Sequence, residues 1–255
     1  MKIKDFFEKT LFLLGAPRCV ACRERLSLRE RALCENCMPD YEFAKTRLCS
    51  ACFKPLCSCA CSNDYLERRF VHKLIKLFRY GKVGEEGEIL PANELIYNIK
   101  RDKRTDILSF LSGELAESIR PYIKRGDYVF TSVPRQRARV IKYGFDHSRA
   151  IAEATAKLLG VEYMPLLRSK SKKAQKKTHG EERIKNAVFA PLKDIDLRGK
   201  RVIIFDDVVT TGASMGASAM QIKALGAKEI IGVCIAIAFR DKHVYFENDA
   251  WWEKR

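Results

Sequence analysis

The run Val202-Ile203-Ile204-Phe205-Asp206-Asp207-Val208-Val209-Thr210-Thr211-Gly212-Ala213-Ser214 brings together the groups that could hold a phosphorylated sugar. Its apolar start suits a buried strand, which would deliver two adjacent carboxylates to its carboxyl end before a turn rich in hydroxyls leads into a helix. The helix N-terminus and the backbone N–H groups of the turn would form an anion site, and Gly212 permits the close backbone approach that a phosphate requires. Hydroxyls of Thr210, Thr211 and Ser214 can add donors to the same oxygens. Asp206 and Asp207 are suited to accept hydrogen bonds from two vicinal sugar hydroxyls. Helix capping alone would explain one polar residue here. It does not explain two carboxylates followed by a near-continuous row of hydroxyl and glycine positions.

A second chemistry is written in the cysteines, nine of whose ten fall between Cys19 and Cys61. Cys19-x-x-Cys22 and Cys34-x-x-Cys37 form two knuckles with the spacing of a tetrahedral four-thiolate zinc site in a small ribbon. Cys49-x-x-Cys52 followed by Cys57, Cys59 and Cys61 supplies five candidate thiolates for four further positions. The expected second set is Cys49, Cys52, Cys57 and Cys61, although spacing leaves open which of the last three is spare. Closed four-cysteine sites hold a fold together and leave no open coordination position, so both zinc ions are expected to be structural. Cys234 lies within an apolar run and reads as core.

The elements that must position these residues follow from periodicity. Asp127 to Ser132, Arg201 to Phe205 and Glu229 to Ala238 read as strands buried on both faces of a parallel sheet. Between them, His147 to Leu159 and Ser214 to Leu225 are patterned as helices, each followed by a glycine suited to a C-cap, Gly160 and Gly226. Alternation of this kind predicts an α/β fold with ligands at the carboxyl ends of the strands. Three zones result: a Cys-rich module over 1–64, a helical connector over 65–104 and the α/β domain over 105–255. In the connector Leu66, Phe70, Leu74, Leu77 and Phe78 share one helical face, with Arg69, Lys73, Lys76 and Tyr80 opposite.

Lys and Arg outnumber Asp and Glu by 48 to 32, a formal charge of +16, which favours nucleic acid, an anionic membrane surface or phosphorylated ligands without choosing among them. The apolar residues of Met1 to Leu14 are interrupted by Asp5 and Glu8 and are too few for a signal peptide or a membrane span, so this stretch reads as a short amphipathic helix on a cytoplasmic protein. Arg168 to Lys185 is strongly basic with little apolar content and reads as a long loop or arm.

The strand, acidic pair and Thr-Thr-Gly-Ala-Ser loop resemble the phosphoribosyl diphosphate signature of the type I phosphoribosyltransferases. With the double cysteine ribbon, the whole arrangement is similar to the ComF family of competence-associated phosphoribosyltransferase-like proteins. Arg79-Tyr80-Gly81-Lys82 approximates that family's Lys-Tyr-x-Gly, Val133 to His147 its Val-Pro and Arg-Gly-Phe-Asn-Gln segment, and Arg168, Gln175, Arg183, Asn186 and Phe189 its later landmarks. Two positions depart from the pattern: Tyr143 stands where arginine is usual, and Lys172 where threonine is common.

The resemblance implies a type I phosphoribosyltransferase fold, a parallel sheet flanked by helices, preceded by a small zinc-ribbon module. It implies that Asp206 and Asp207 bind the ribose hydroxyls of 5-phosphoribosyl diphosphate and that Thr210, Thr211, Gly212, Ala213 and Ser214 cradle its 5-phosphate. Arg137, Arg139 and Lys142 would neutralise the diphosphate leaving group, with Mg²⁺ held mainly by the ligand's own oxygens. The implied role is phosphoribosyl transfer to an unidentified acceptor in DNA uptake, with competence-machinery proteins as partners. The alternative is a non-catalytic sensor of the same ligand, or a single-stranded-DNA adaptor on whose surface Phe70, Phe78 or Tyr80 would stack bases.

Overall fold

The computed structural model describes residues 17–81, 91–101, 104–124, 126–135, 140–141, 144–170, 188–192 and 195–238. The expected helix at Met1 to Leu14, most of the basic segment after Lys170 and the tail with Trp251 and Trp252 lie outside the described residues.

The elements are α1 (Met38–Thr46), α2 (Asp64–Glu67), β1 (Val71–Arg79), α3 (Pro91–Arg101), α4 (Thr105–Ile119), β2 (Tyr128–Ser132), α5 (His147–Leu159), β3 (Glu162–Tyr163), β4 (Leu167–Ser169), β5 (Phe189–Pro191), β6 (Arg201–Val209), α6 (Ala213–Ala224) and β7 (Glu229–Ile237). Five strands form one sheet in the order β1-β7-β6-β2-β3 with every pairing parallel. β4 and β5 form a separate antiparallel pair, Arg168 opposite Ala190. The expected α/β architecture is therefore present. Among the described residues no helix is long and apolar enough to cross a membrane.

Both faces of the sheet are covered, as a parallel sheet requires. On one face Ile203, Phe205, Ile231 and Val233 meet Leu111 and Leu115 of α4 and Ile151 and Ala152 of α5. On the other, Val202, Ile204 and Ile230 meet Met215, Ala219 and Ile222 of α6. Local chemistry sets the helix ends. Asp146 accepts the Arg149 N–H at 3.1 Å as the N-cap of α5, and Gly160 closes that helix at φ 67°.

The connector differs from expectation. Val71–Arg79 is a strand rather than a helix, pairing with β7 from Val71↔Ile230 to Arg79↔Ile237. Leu74 through Phe78 are all buried, Lys76 included at 2% exposure. A strand sandwiched between two layers buries consecutive residues on opposite faces, and here Leu74 joins the α6 side while Ile75 and Leu77 join the α4/α5 side. The apolar residues of this stretch, interrupted by His72, Lys73 and Lys76, fit a helical spacing, and the sheet's supply of backbone partners decided the outcome. The helical part of the connector is α3, whose Leu95, Ile96 and Ile99 are buried.

The cysteine module does not stand apart. Val20, Leu26, Leu33 and Tyr41 belong to the same apolar cluster as the sheet. Fully buried Tyr41 meets the Phe78 ring edge-on at 6.0 Å and donates to Glu114 Oε2 of α4 at 3.0 Å.

Gly232 on β7 shows how tightly β1 and α6 close on the sheet. A Cβ there would lie 2.8 Å from both Met215 Sδ and Val71 Cγ1. Gly232→Ala is therefore expected to destabilise the protein by about 1–3 kcal/mol, the usual cost of overpacking, measured by urea unfolding. An unchanged midpoint would contradict the placement of β1.

Candidate active site and metal centres

β6 runs four residues beyond the apolar stretch read from sequence, so that Asp206 and Asp207 lie within the strand near its carboxyl end. Consecutive strand residues face opposite ways, which makes the two carboxylates unequal. Asp207 is buried at 8% exposure. Its Oδ2 is the shared acceptor of three donors: Arg135 Nη2 at 2.9 Å, His147 Nε2 at 3.0 Å and Lys100 Nζ at 3.3 Å. Its Oδ1 accepts the Val208 N–H at 2.9 Å. Burial alone would raise its pKa. The hydrogen bond from His147 and the cations of Lys100 and Arg135 outweigh burial and hold the carboxyl well below the usual carboxylate range.

Asp206 is half-buried and accepts the Asp207 N–H at 3.0 Å. Burial, and then the neighbouring Asp207 charge, push its pKa well above the ordinary value. One carboxylate is thus satisfied by the protein's own cations, whereas the other is the poorer anion and the readier group to meet a sugar hydroxyl.

Arg135 follows Pro134 directly after β2 and is braced from α5, donating from Nε to Ser148 Oγ at 3.2 Å. Its guanidinium also lies 2.6 Å from His147 Nε2. Lys100 comes from α3, and His147 opens α5 at 3% exposure. None of these three was among the expected site residues. Lys100 lay in the part of the connector where no face or functional residue was read, and His147 and Arg135 stood beside residues that drew attention for their charge. Arg137, Arg139 and Lys142, expected at the leaving group, lie outside the described residues.

The loop after β6 has the expected build. Gly212 precedes α6 at φ 79°, and a Cβ there would come within 2.9 Å of Leu66 Cγ, so both backbone conformation and packing require glycine. Leu66 is fully buried, which seats the loop on α2. Gly212 gives α6 no side-chain cap, and Thr211 Oγ1 accepts the Ala213 N–H at 3.3 Å. The first turn of α6, whose N–H groups have no acceptors within the helix, thus follows the two carboxylates after a short loop.

The cysteines form two tetrads, Cys19, Cys22, Cys34 and Cys37, and Cys49, Cys52, Cys59 and Cys61, the sulfurs of each lying within 4.8 Å of one another. Sulfurs around one tetrahedral zinc are about 3.8 Å apart given Zn–S bonds of about 2.3 Å. Separations of 3.5 Å for Cys22–Cys34 and for Cys52–Cys59 suit that ion, so each tetrad could hold zinc. The second set corrects the expectation. Cys59 is the fourth ligand candidate, and the Cys57 sulfur instead lies 3.9 Å from Ser58 Oγ. Cys59 joins Cys49 and Leu56 in a small buried core, which turns Cys57 outward.

The first Cys-x-x-Cys of each tetrad has the same geometry. Arg23 and Phe53, each directly after a Cys-x-x-Cys, take left-handed φ values of 67° and 55° and donate their N–H to Cys19 O and Cys49 O. Of the rings expected to stack bases, Phe78 is fully buried and unavailable, whereas Phe70 and Tyr80 are exposed.

The parallel sheet and the acidic strand leading into a Thr-Gly loop define a type I phosphoribosyltransferase fold. In agreement, the phosphoribosyl transferase domain family matches residues 146–254. Competence protein ComFC of Streptococcus pneumoniae (strain ATCC BAA-255 / R6) is 22% identical over 79% of this chain and 86% of its own length. The DNA utilization protein YhgH of Escherichia coli (strain K12) is 25% identical over 85% and 95%. Among solved structures, purine phosphoribosyltransferase from Pyrococcus horikoshii Ot3 is 26% identical, covering 51% of this chain and 73% of that one, with a TM-score of 0.35. The chain is thus similar over most of its length to a competence protein and a DNA utilization protein, and it carries a phosphoribosyltransferase-type domain behind a cysteine ribbon.

The unequal aspartates give opposite pH signatures. An unfolded Asp titrates near ~3.9. Asp207, depressed in the folded state, contributes stability that is present above that range and lost only as pH falls through its lower folded value. Asp206, raised in the folded state, costs stability above the unfolded value, and the cost disappears below it. Asp207→Asn should therefore lower stability at pH 7 by about 1–3 kcal/mol, the cost of weakening a charge-assisted hydrogen-bond centre whose cations solvent partly reaches. Asp206→Asn should raise it, an advantage that fades below about pH 4 while the Asp207→Asn deficit persists to lower pH. Urea unfolding across pH measures both, and equal effects would contradict the asymmetry.

For the metal centres, Cys59→Ser should lose one zinc per chain and Cys57→Ser none, read by metal analysis of the purified variants. The reverse outcome would restore Cys57 as the ligand.

Proposed function

We propose that this chain binds 5-phosphoribosyl diphosphate with Mg²⁺ at the carboxyl end of β6 and that it acts in handling DNA taken up during natural transformation. The observation that carries the ligand assignment is the adjacency of Asp206 and Asp207 to a glycine-initiated anion loop at the N-terminus of α6. The names of the relatives, a competence protein and a DNA utilization protein, support the biological setting.

In this reading the 5-phosphate accepts from the N–H groups and hydroxyls of Thr210 to Ser214, and Asp206 accepts from a ribose hydroxyl. Asp207 reaches the ligand by exchanging one of its three donors, which then become available to an anion. In the same reading Arg135 and Lys100 act with Arg137, Arg139 and Lys142 to neutralise the diphosphate. In phosphoribosyl transfer the bond from the anomeric carbon to diphosphate breaks with its electron pair leaving on oxygen, and cations around the departing group lower that barrier. Among the described residues the clusters of three or more metal-ligand side chains are the two cysteine tetrads, which suits a Mg²⁺ carried by the ligand's oxygens. Each tetrad holds a structural zinc, fixing the ribbon from which the sheet's first strand continues.

Calorimetric titration with 5-phosphoribosyl diphosphate and Mg²⁺ tests the assignment. The wild type should bind in the micromolar range or tighter, about −8 kcal/mol, and the Asp206→Ala/Asp207→Ala variant should show no binding while keeping its fold by circular dichroism. Wild-type affinity in that variant would move the ligand elsewhere. Diphosphate release in the presence of an acceptor would mark a transferase. Saturable binding with a changed affinity for single-stranded DNA and no diphosphate release would mark a sensor.

A further inference from the structure

The basic residue expected on an exposed helical face, Lys76, is instead 2% exposed on β1. Its ammonium has three protons to place, and three acceptors surround it: Cys59 Sγ at 3.2 Å, Cys61 O at 2.7 Å and Leu74 O at 3.3 Å. Two of the three belong to the second cysteine tetrad. A buried ammonium is retained where an anion compensates it, and four thiolates on a divalent ion carry a net charge of −2.

The same segment is joined to the sheet by its backbone. Leu74 N–H donates to Ala60 O at 2.9 Å, Cys61 is bridged antiparallel to Lys73, and Ser62 Oγ donates to Val71 O at 2.7 Å. Residues 60–62 therefore cover the side of β1 that faces away from β7, where an uncovered edge would present unpaired backbone groups. Lys76 is also paired in register with Cys234 of β7, which is paired with Asp206 of β6. One row of the sheet thus leads from the tetrad to the acidic pair.

We propose that Lys76 is the charge partner of the metal at the second tetrad, and that metal occupancy there holds β1 at the edge of the phosphoribosyltransferase sheet. Lys76 is a positioning residue in this role: it touches a ligand sulfur, not the metal or the sugar. Without the ion the ammonium would have no divalent-thiolate centre beside it to compensate its burial. Each tetrad has a backbone N–H on one sulfur, Cys34 N–H on Cys19 at 3.4 Å and Cys61 N–H on Cys59 at 3.3 Å, and the second adds the Lys76 ammonium. Both tetrads adjoin the sheet, the first through the apolar cluster that contains Cys19 and Cys34 and the second through the Lys76 ammonium. The proposal rests on zinc being the ion held by the tetrads.

The test is chelator competition on the full chain, with released zinc followed by a chromogenic indicator. Wild type and Lys76→Arg should each release two zinc ions per chain with similar affinities, since the arginine keeps the charge. Lys76→Met should hold one of its zinc ions about 10–100-fold more weakly, the range for losing a contact behind a metal ligand, with the other unchanged. Hydrogen exchange on the wild type supplies a readout that needs no variant: amides of Val71–Arg79 should lose protection once both metals are removed. Two zinc ions held at wild-type affinity in Lys76→Met would overturn the proposal. So would unaltered protection of β1 after both metals are removed. A wild type that binds fewer than two zinc ions would instead refute the tetrad assignment itself.

Discussion

A single carboxylate oxygen, Asp207 Oδ2, is the point at which distant parts of this chain are made to agree. Lys100 reaches it from α3, Arg135 from the segment after β2 and His147 from the first turn of α5. An anion buried beside several cations is strongly stabilised only when all are in place, and removing it leaves its partners uncompensated. The geometry of the site therefore follows from one electrostatic requirement as much as from the sheet that delivers it. Its neighbour Asp206, one residue away and turned to the other face, is left with burial and a like charge, which make it a strained anion. Sites that bind ligands commonly keep such a locally unfavourable group, at some cost to stability.

The same logic joins the ribbon to the sheet. Tyr41 of the ribbon packs on Phe78 of β1 and bonds Glu114 of α4, while Lys45 forms an ion pair with that same glutamate. Burying a side chain of this size is worth roughly 1.5–3 kcal/mol, far more than the exposed ion pairs elsewhere contribute. The ribbon is thus one wall of the core rather than a tethered accessory, and its cysteines stand close to the strand that ends near the site.

Much of this was legible in the sequence where one interaction dominates. The helix His147–Leu159 has the predicted limits because Asp146 caps it and Gly160 ends it, both local effects. The turn between β6 and α6 was legible from its Thr and Gly content, whereas the packing of Gly212 on Leu66 was not. The failures are tertiary. β1 looked helical because a short apolar run fits either period, and only pairing with β7 distinguishes them. Cys59 rather than Cys57 enters the second tetrad because Leu56 and Cys59 share a small core, which no spacing rule expresses. Lys100 and His147 were not visible as site residues because their meaning lies in a carboxylate 107 and 60 positions downstream. The extension of β6 through Val209 likewise turned an apparent pair of equivalent acids into two with opposite burdens.

The central claim is that the loop after β6, backed by the start of α6, is the phosphate cradle. Amide hydrogen exchange of the full chain with and without saturating ribose 5-phosphate measures that directly, because a bound phosphate occupies the N–H groups themselves. Protection should rise at Thr211 to Ser214 and little elsewhere in the sheet. Saturable binding of ribose 5-phosphate that leaves those amides exchanging at their ligand-free rate would contradict it.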